Sequence, residues 1–332
     1  MASQILHRLH DTPGGTTLVW VNQLSGPSYI IDTRVRLAAF RWLSEQTAIH
    51  GDVLSWSLLL QGFELDGLRV PLLSQQGIFK PQVLPNAPLT IRTSAAGPYD
   101  DHFGPDDLLL YSYRGTDPRH PENEGLRRAM RDRLPLIYLH GVVKSRYLAV
   151  WPVFVVDDDP GGLRFIVAAD EPAALRGLRA FPDQSQVCES EDAVLRRRYA
   201  TRDVRQRLHQ RGFRERVLAA YQESCAICHL RHLELLDAAH IVPDTEPEGE
   251  PIVPNGLSLC RLHHGAFDAY LLTVRPDYTV EVRKSVLEES DGPMLRHGLQ
   301  GIHNQIALPR SRKLRPNPEL LDRRYLRFRK AG

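Results

Sequence analysis

The sequence predicts an α+β protein in two main parts, and three observations carry that prediction. Between residues 68 and 169, short apolar runs of strand length alternate with Gly and Pro. Segments of helical periodicity lie on either side, at 33–48 and again at 204–221. Beyond them, three of the chain's four cysteines and one histidine form two close pairs, Cys225/Cys228 and Cys260/His263, the spacing by which one tetrahedral zinc ion pins two turns together. The expected order is a mixed, β-rich part over 1–185, a basic helical linker over 186–222, a compact zinc-braced unit over 223–290 and a basic extension over 291–332.

In chain order, Leu37, Phe40 and Leu43 place apolar side chains at helical spacing within 33–48, and Asp32 is the candidate N-cap. Strands are expected at 68–73, 88–93, 107–113, 136–140, 147–156 and 163–169, closing into a curved sheet or small barrel. In the linker, Val204 and Leu208 stand i,i+4, as do Phe213, Val217 and Tyr221, with an interruption expected near Gly212. No internal repeat is present. Cys188 stands alone and is expected to be inert.

At 332 residues, 42% hydrophobic and 25% charged, the composition is that of an ordinary soluble globular protein. No run of eighteen apolar residues offers a membrane span. The first eight residues lack the apolar core of a signal peptide. A cytoplasmic location is expected, and thiol ligands agree with a reducing compartment.

The formal net charge of +2 conceals a strong division. Residues 196–216 hold nine arginines against Asp203 and Glu215, and residues 309–330 hold nine Arg or Lys against Glu319 and Asp322, leaving the rest of the chain at −12. Positive charge so concentrated is the footprint of phosphate binding; seen alone, it reads equally as a solvated helix face and a basic tail. Arg196, Arg197, Arg198, Arg202 and Arg205 are expected along the exposed side of the linker helix, as DNA contacts.

Within the zinc-braced unit, Leu236-Asp237-Ala238-Ala239-His240 precedes Asn255-Gly256-Leu257-Ser258-Leu259-Cys260, followed by His263-His264 and Phe267-Asp268. This constellation resembles the HNH, or ββα-metal, endonuclease family, in the form of predicted restriction endonucleases. The resemblance implies a strand over 235–242, a second over 256–259, and a helix from about Cys260 through Asp268. It also implies roles: His240 as the general base, Asn255 as the brace of the loop that holds the base in its working tautomer, and His264 as a ligand of a catalytic Mg²⁺ or Mn²⁺ ion. His264 and Asp268 share a helix face, which makes Asp268 the expected second ligand. Many relatives carry Asp or His before the base, where this chain has Ala239; Asp237, on the same strand face, is the expected substitute. The implied reaction is one-metal phosphodiester hydrolysis, with Cys225, Cys228, Cys260 and His263 holding a structural Zn²⁺.

Upstream, the phrase Tyr111-Ser112-Tyr113-Arg114-Gly115-Thr116-Asp117, followed by Asn123 and Arg127, resembles the amino-terminal half of the same predicted restriction enzymes. Such halves are compared with SRA/PUA-like barrels that flip modified cytosine. A flipped base needs an aromatic face and polar groups for its edge, and Tyr113, Arg114, Asp117 and Asn123 are of those types. They also read as core and turn residues. Lys80 and Arg127 are weaker candidates for phosphate contacts.

Three functions remain open: a restriction endonuclease, with DNA modification as one candidate signal; a DNA-repair or nonspecific HNH nuclease; and a catalytically inactive, zinc-containing DNA-binding module. For an enzyme that cuts both strands at one site, a homodimer is expected, because it supplies two active sites in matching geometry.

Overall fold

The computed structural model describes residues 27–95, 102–104, 108–170, 191–290, 292–302 and 305–331. Cys188 and the first residues of the chain lie outside these. The first part comprises α1 (Pro27–His50), β1 (Val53–Ser55), α2 (Trp56–Gln61), β2 (Phe63–Leu65), β3 (Leu68–Val70), β4 (Ile78–Phe79), β5 (Thr90–Thr93), β6 (His102–Phe103), β7 (Leu109–Ser112), α3 (Pro121–Arg131), β8 (Leu136–Val143), β9 (Arg146–Asp159) and β10 (Arg164–Ala169). Eight of the strands form one sheet in the order β4-β5-β8-β9-β10-β7-β6, with β1 also on β9. Only β5 and β8 run parallel.

This sheet curls into a half-barrel. The 14-residue β9 is its spine: Arg146–Leu148 pair with β1, while Val153–Asp159 pair with β10. Register shifts between Ile166 and Val167, and twice along β8, have the character of bulges, which bend a sheet. Alternation along β8 then separates two cores. Leu136, Tyr138 and Val142 join Phe165, Val167 and Leu126 on one face. Ile137 and Leu139 join Val35, Ala39, Phe40 and Leu43 of α1 on the other.

The first helix is longer than its periodicity predicts, so Asp32 is inside it and not a cap. Asp32 instead makes a buried ion pair with Arg36 at 2.5 Å, and Arg36 also donates to the carbonyls of Pro88 (3.0 Å) and Pro135 (2.9 Å).

The linker contains α4 (Glu191–Ala220), one 30-residue helix that passes through Gly212 without a break. The expected interruption fails because packing on both sides overrides one weak helix former: Val204 and Leu208 sit in the sheet core, and Phe213, Val217 and Leu218 in the next. One helix is therefore built into both cores.

The second part follows: β11 (Leu236–His240), β12 (Gly256–Cys260), α5 (Arg261–Asp268), β13 (Leu272–Val274), β14 (Val280–Val282), α6 (Lys284–Glu288), α7 (Pro293–Leu295) running into a π turn (Arg296–Gln300), and α8 (Pro318–Ala331). β11 and β12 pair antiparallel with His240 opposite Gly256. A Cβ on Gly256 would stand 2.5 Å from Val217 and 2.8 Å from the Phe213 ring, so the glycine admits α4 against the hairpin. The basic extension is an ordered wrap: Arg323 pairs with Glu248 (2.7 Å) and Arg327 with Glu246 (2.6 Å), fixing α8 to the loop after β11. No helix among the described residues is long and apolar enough to cross a membrane.

Candidate functional site

Cys225 and Cys228 lie in the turn after α4, Cys260 caps the start of α5, and His263 lies in its first turn. Their ligand atoms fall within 4.8 Å of one another. Individual separations are 3.4 Å from Cys225 Sγ to His263 Nδ1, 3.2 Å from Cys260 Sγ to the same nitrogen, and 3.9 Å between Cys228 and Cys260. Zn–S bonds of about 2.3 Å and Zn–N bonds of about 2.0 Å would put tetrahedral ligands about 3.5–3.8 Å apart, so the set fits zinc.

Electrostatics point the same way. The Cys260 thiol is pulled well below its ordinary range by hydrogen bonds from Cys225 and then Cys228. Burial works against charge on His263, yet hydrogen bonds to Cys225 and Cys260 raise it to about 10. The same neighbours push Cys228 the other way, upward, so the protons are shared unevenly among the sulfurs, and a divalent ion binding there would displace those that remain. The other ring nitrogen of His263, Nε2, lies 2.9 Å from the carbonyl of Gly298 in the π turn, the kind of outer contact that fixes a ligand's tautomer.

The second centre lies where β11 ends against α5. His240, the last residue of the strand, stacks on Phe213 with ring centroids 4.0 Å apart. Its Nε2 is buried and without a partner. Burial lowers its pKa, aided by His264 and opposed by Asp244, Asp268 and Asp237, which favours the neutral ring. On α5, His264 Nε2 is 3.2 Å from Asp268 Oδ2, while its Nδ1 is 4.0 Å from Asp237 Oδ2. The hydrogen bond to Asp268 raises His264 and lowers Asp268.

Asp237 and Asp268 thus flank His264 on opposite nitrogens. Both carboxylates are about half exposed, at 51% and 60%, and all three side chains are donors suited to a divalent cation. They do not converge on a point as the cysteine cluster does; among the described residues, that cluster is the one convergent group of three or more such donors.

Asn255 is completely buried. Its Oδ1 accepts from the Val242 amide (2.9 Å), and its Nδ2 donates to the carbonyls of Val242 (2.9 Å) and Glu250 (3.1 Å). It braces the loop, but through the backbone two residues beyond His240 and not through the imidazole, so the expected hold on the tautomer is not made. The residue that sequence reasoning missed is Arg324 of α8, 4% exposed, which reaches both Ile241 and Phe267.

The expected DNA-contact residues divide by environment. Arg196 and Arg197 both bind Asp170, at 3.0 and 3.1 Å, at the end of β10. Arg198, Arg202 and Arg205 lie exposed on α4. Tyr113 is 1% exposed; its hydroxyl donates to Asp158 and accepts from Arg127, and its ring packs on Phe165 at 4.6 Å. Asn123 is fully buried, tying Arg114 N–H (2.9 Å), Arg114 C=O (3.3 Å) and Asp117 C=O (3.0 Å) together. Tyr113 and Asn123 therefore support the 114–117 loop from within and do not face a base. Arg114 and Asp117 are exposed. Arg127 is occupied by Asp158 (2.7 Å), and Lys80 donates to the Leu84 carbonyl (2.8 Å).

Residues 225–275 match the HNH_2 family, described as HNH endonuclease. No curated protein matches the chain. Two solved structures illustrate a distant likeness. One is "Modification dependent TagI restriction endonuclease", 15% identical over 73% of this chain and 82% of that one, with a TM-score of 0.27. The other is "Structure of the Type IV phosphorothioation-dependent restriction endonuclease ScoMcrA", 16% identical over 53% and 52%, with a TM-score of 0.19. Both superpositions are loose. The paired strands, the helix with His264 and Asp268, the four-ligand cluster and the family match agree: residues 225–275 form an HNH endonuclease domain.

Proposed function

We propose that the protein is a metal-dependent DNA endonuclease of the restriction type, in which the half-barrel part selects DNA and the HNH part cuts it. The observation that carries this reading is the gathering of His240 and Asp237 of β11 with His264 and Asp268 of α5, an imidazole that burial shifts toward its neutral form near a set of cation donors. His264 and Asp268 would hold Mg²⁺ or Mn²⁺, which supplies neutralisation of charge at the scissile phosphate and leaving oxygen, and Asp237, on the other nitrogen of His264, would join them only by turning toward the ion. His240 takes the proton from the attacking water. Its Nε2 is sealed from solvent, which leaves Nδ1 to face that water. Asn255 keeps the loop after the base in place, and Zn²⁺ on Cys225, Cys228, Cys260 and His263 would hold the turn after α4 to the start of α5.

Selection of DNA is assigned to an SRA/PUA-like use of the curled sheet, with Arg114 and Asp117 on a braced loop and Arg198, Arg202 and Arg205 along α4 meeting phosphates. The domain limits carried in this reading are 1–185, 186–222, 223–290 and 291–332, in a cytoplasmic homodimer. One observation favours the runner-up, a repair or nonspecific nuclease: burial of Tyr113 and Asn123 withdraws two of the four groups assigned to a flipped base.

Cleavage of matched plasmids, one unmodified and one carrying methylated or hydroxymethylated cytosine, in Mg²⁺ or Mn²⁺, separates these readings. Cutting confined to modified DNA supports modification-dependent restriction. Equal cutting of both supports the runner-up, and DNA binding without cutting in any condition supports an inactive binding module.

A further inference from the structure

Arg324 is the buried cation of the HNH part, and its position is unusual. One guanidinium joins the two elements that carry the reacting groups: Nη1 donates to the carbonyl of Ile241 (3.2 Å), the residue after His240, and Nη2 to that of Phe267 (2.5 Å), the residue before Asp268. Nη2 also stands 3.7 Å from Asp268 Oδ1, on the side away from His264, which contacts Oδ2. The guanidinium lies over the Phe267 ring at 3.6 Å, with Tyr270 at 4.8 Å. A buried charge is costly to desolvate, and an apolar side chain would fill the same space at lower cost. What an apolar side chain lacks is the planar fork that bonds two backbone carbonyls while facing a carboxylate.

We infer that Arg324 is a positioning residue for the nuclease centre, setting the separation of His240 from Asp268 and holding the outer oxygen of Asp268, so that α8 is a working part of the site. The inference rests on the proposed role of Asp268 as a cation ligand. Its neighbours on α8 act differently: Arg323 and Arg327 pair with Glu248 and Glu246 on the loop, which docks the helix without touching the centre. A counterpart on the other side is Arg214 of α4, whose Nε is 3.4 Å from Asp237 Oδ1.

The test compares full-length, zinc-loaded wild type with Arg324→Lys, Arg324→Gln and Arg327→Gln, measuring Mn²⁺ affinity by electron paramagnetic resonance beside DNA cleavage and thermal midpoint. His264→Ala marks the signal that belongs to the site. The expected result is an Mn²⁺ affinity lowered about 10–100-fold in Arg324→Lys and Arg324→Gln, the range typical of lost outer-shell support, with cleavage falling in parallel. Arg327→Gln should lower the thermal midpoint and leave Mn²⁺ affinity unchanged. If Arg324→Gln does not retain zinc, Arg324→Lys, which keeps charge and length, still decides the question. An unchanged Mn²⁺ affinity in Arg324→Lys, or an equal loss in Arg327→Gln, overturns the assignment of Arg324 alone. The absence of any His264-dependent Mn²⁺ site in wild type overturns the nuclease reading, and this inference with it.

Discussion

The half-barrel and the HNH part both contain buried polar side chains, but they treat them in opposite ways. In the half-barrel many of those groups satisfy one another, Asp32 with Arg36, Tyr113 with Asp158 and Arg127, Asn123 with three backbone groups, and Tyr138 with His140 and Thr93 at 2.9 Å each, while Thr90 Oγ1, Arg92 Nε and Glu122 Oε2 stay without a partner. In the HNH part, four zinc-type donors face one point, His240 keeps an unpartnered ring nitrogen, and two half-exposed carboxylates flank His264. Buried polar groups that find protein partners hold a fold together. Donors of metal-binding type gathered in one place indicate where a ligand or a reaction belongs.

This contrast can be broken most sharply by removing the cluster's ligand set. Cys260→Ser, or chelation of zinc, should unfold the HNH part, since a structural zinc site supplies about 10–16 kcal/mol of apparent binding energy to small domains. The half-barrel, whose cores lack that cluster, should survive. Limited proteolysis with zinc analysis checks this: loss of protection within 225–300 alone is the expected pattern. Next in size is Asp268→Asn. It should reduce cleavage by about 10³-fold at fixed metal concentration, as expected when cation stabilisation worth several kcal/mol is weakened, without loss of zinc or of the fold. Steady-state cleavage beside zinc analysis measures both.

A pH experiment sharpens the other side of the contrast. Burial, aided by Arg216 and His209, lowers His140 to about 4 from an ordinary value near 6.5, and Tyr138 lies at hydrogen-bond distance from its Nδ1. The unfolded chain binds this proton more readily than the folded one. Stability from His140 is therefore fully present above about 6.5 and is lost as pH falls toward about 4, with a maximum near 3 kcal/mol. Thermal midpoints followed from pH 7 to 4 should fall, and His140→Gln, neutral throughout, should flatten that slope. The smallest effect is expected from Asn123→Ala. It strips the 114–117 loop of three hydrogen bonds made by a fully buried amide, costing about 1–3 kcal/mol. Denaturant unfolding would register that change.

Legibility of these features followed sequence distance. The zinc ligands, the hairpin and α5 were readable because their residues lie close together at spacings that geometry imposes, and the longer strands of the half-barrel because Gly and Pro bound them, while β1, β4 and β6, at two or three residues each, were too short to show a pattern. Arg324 was not readable: its partners Phe267 and Ile241 lie 57 and 83 residues away, and in the sequence it is one of nine basic residues in a tail. The continuous α4 was hidden by Gly212, a local signal overruled by packing on both sides. Tyr113 and Asn123 were misleading in a different manner. Residue type suggests both a base reader and a core brace, and only burial distinguishes them. Asn255 was half legible, since its role as a brace followed from the resemblance while its choice of Val242 over the His240 ring depends on where the loop folds back.

The most direct test of the account is plasmid cleavage by wild type and His240→Ala at equal zinc content, with Mg²⁺ or Mn²⁺ and with both omitted. Metal-dependent cutting by wild type, reduced about 10²–10⁴-fold by removal of the general base, is the predicted result. Equal cutting by both proteins would contradict the role of His240, and a wild type that cuts no DNA with either metal would contradict the reading of this chain as an active nuclease.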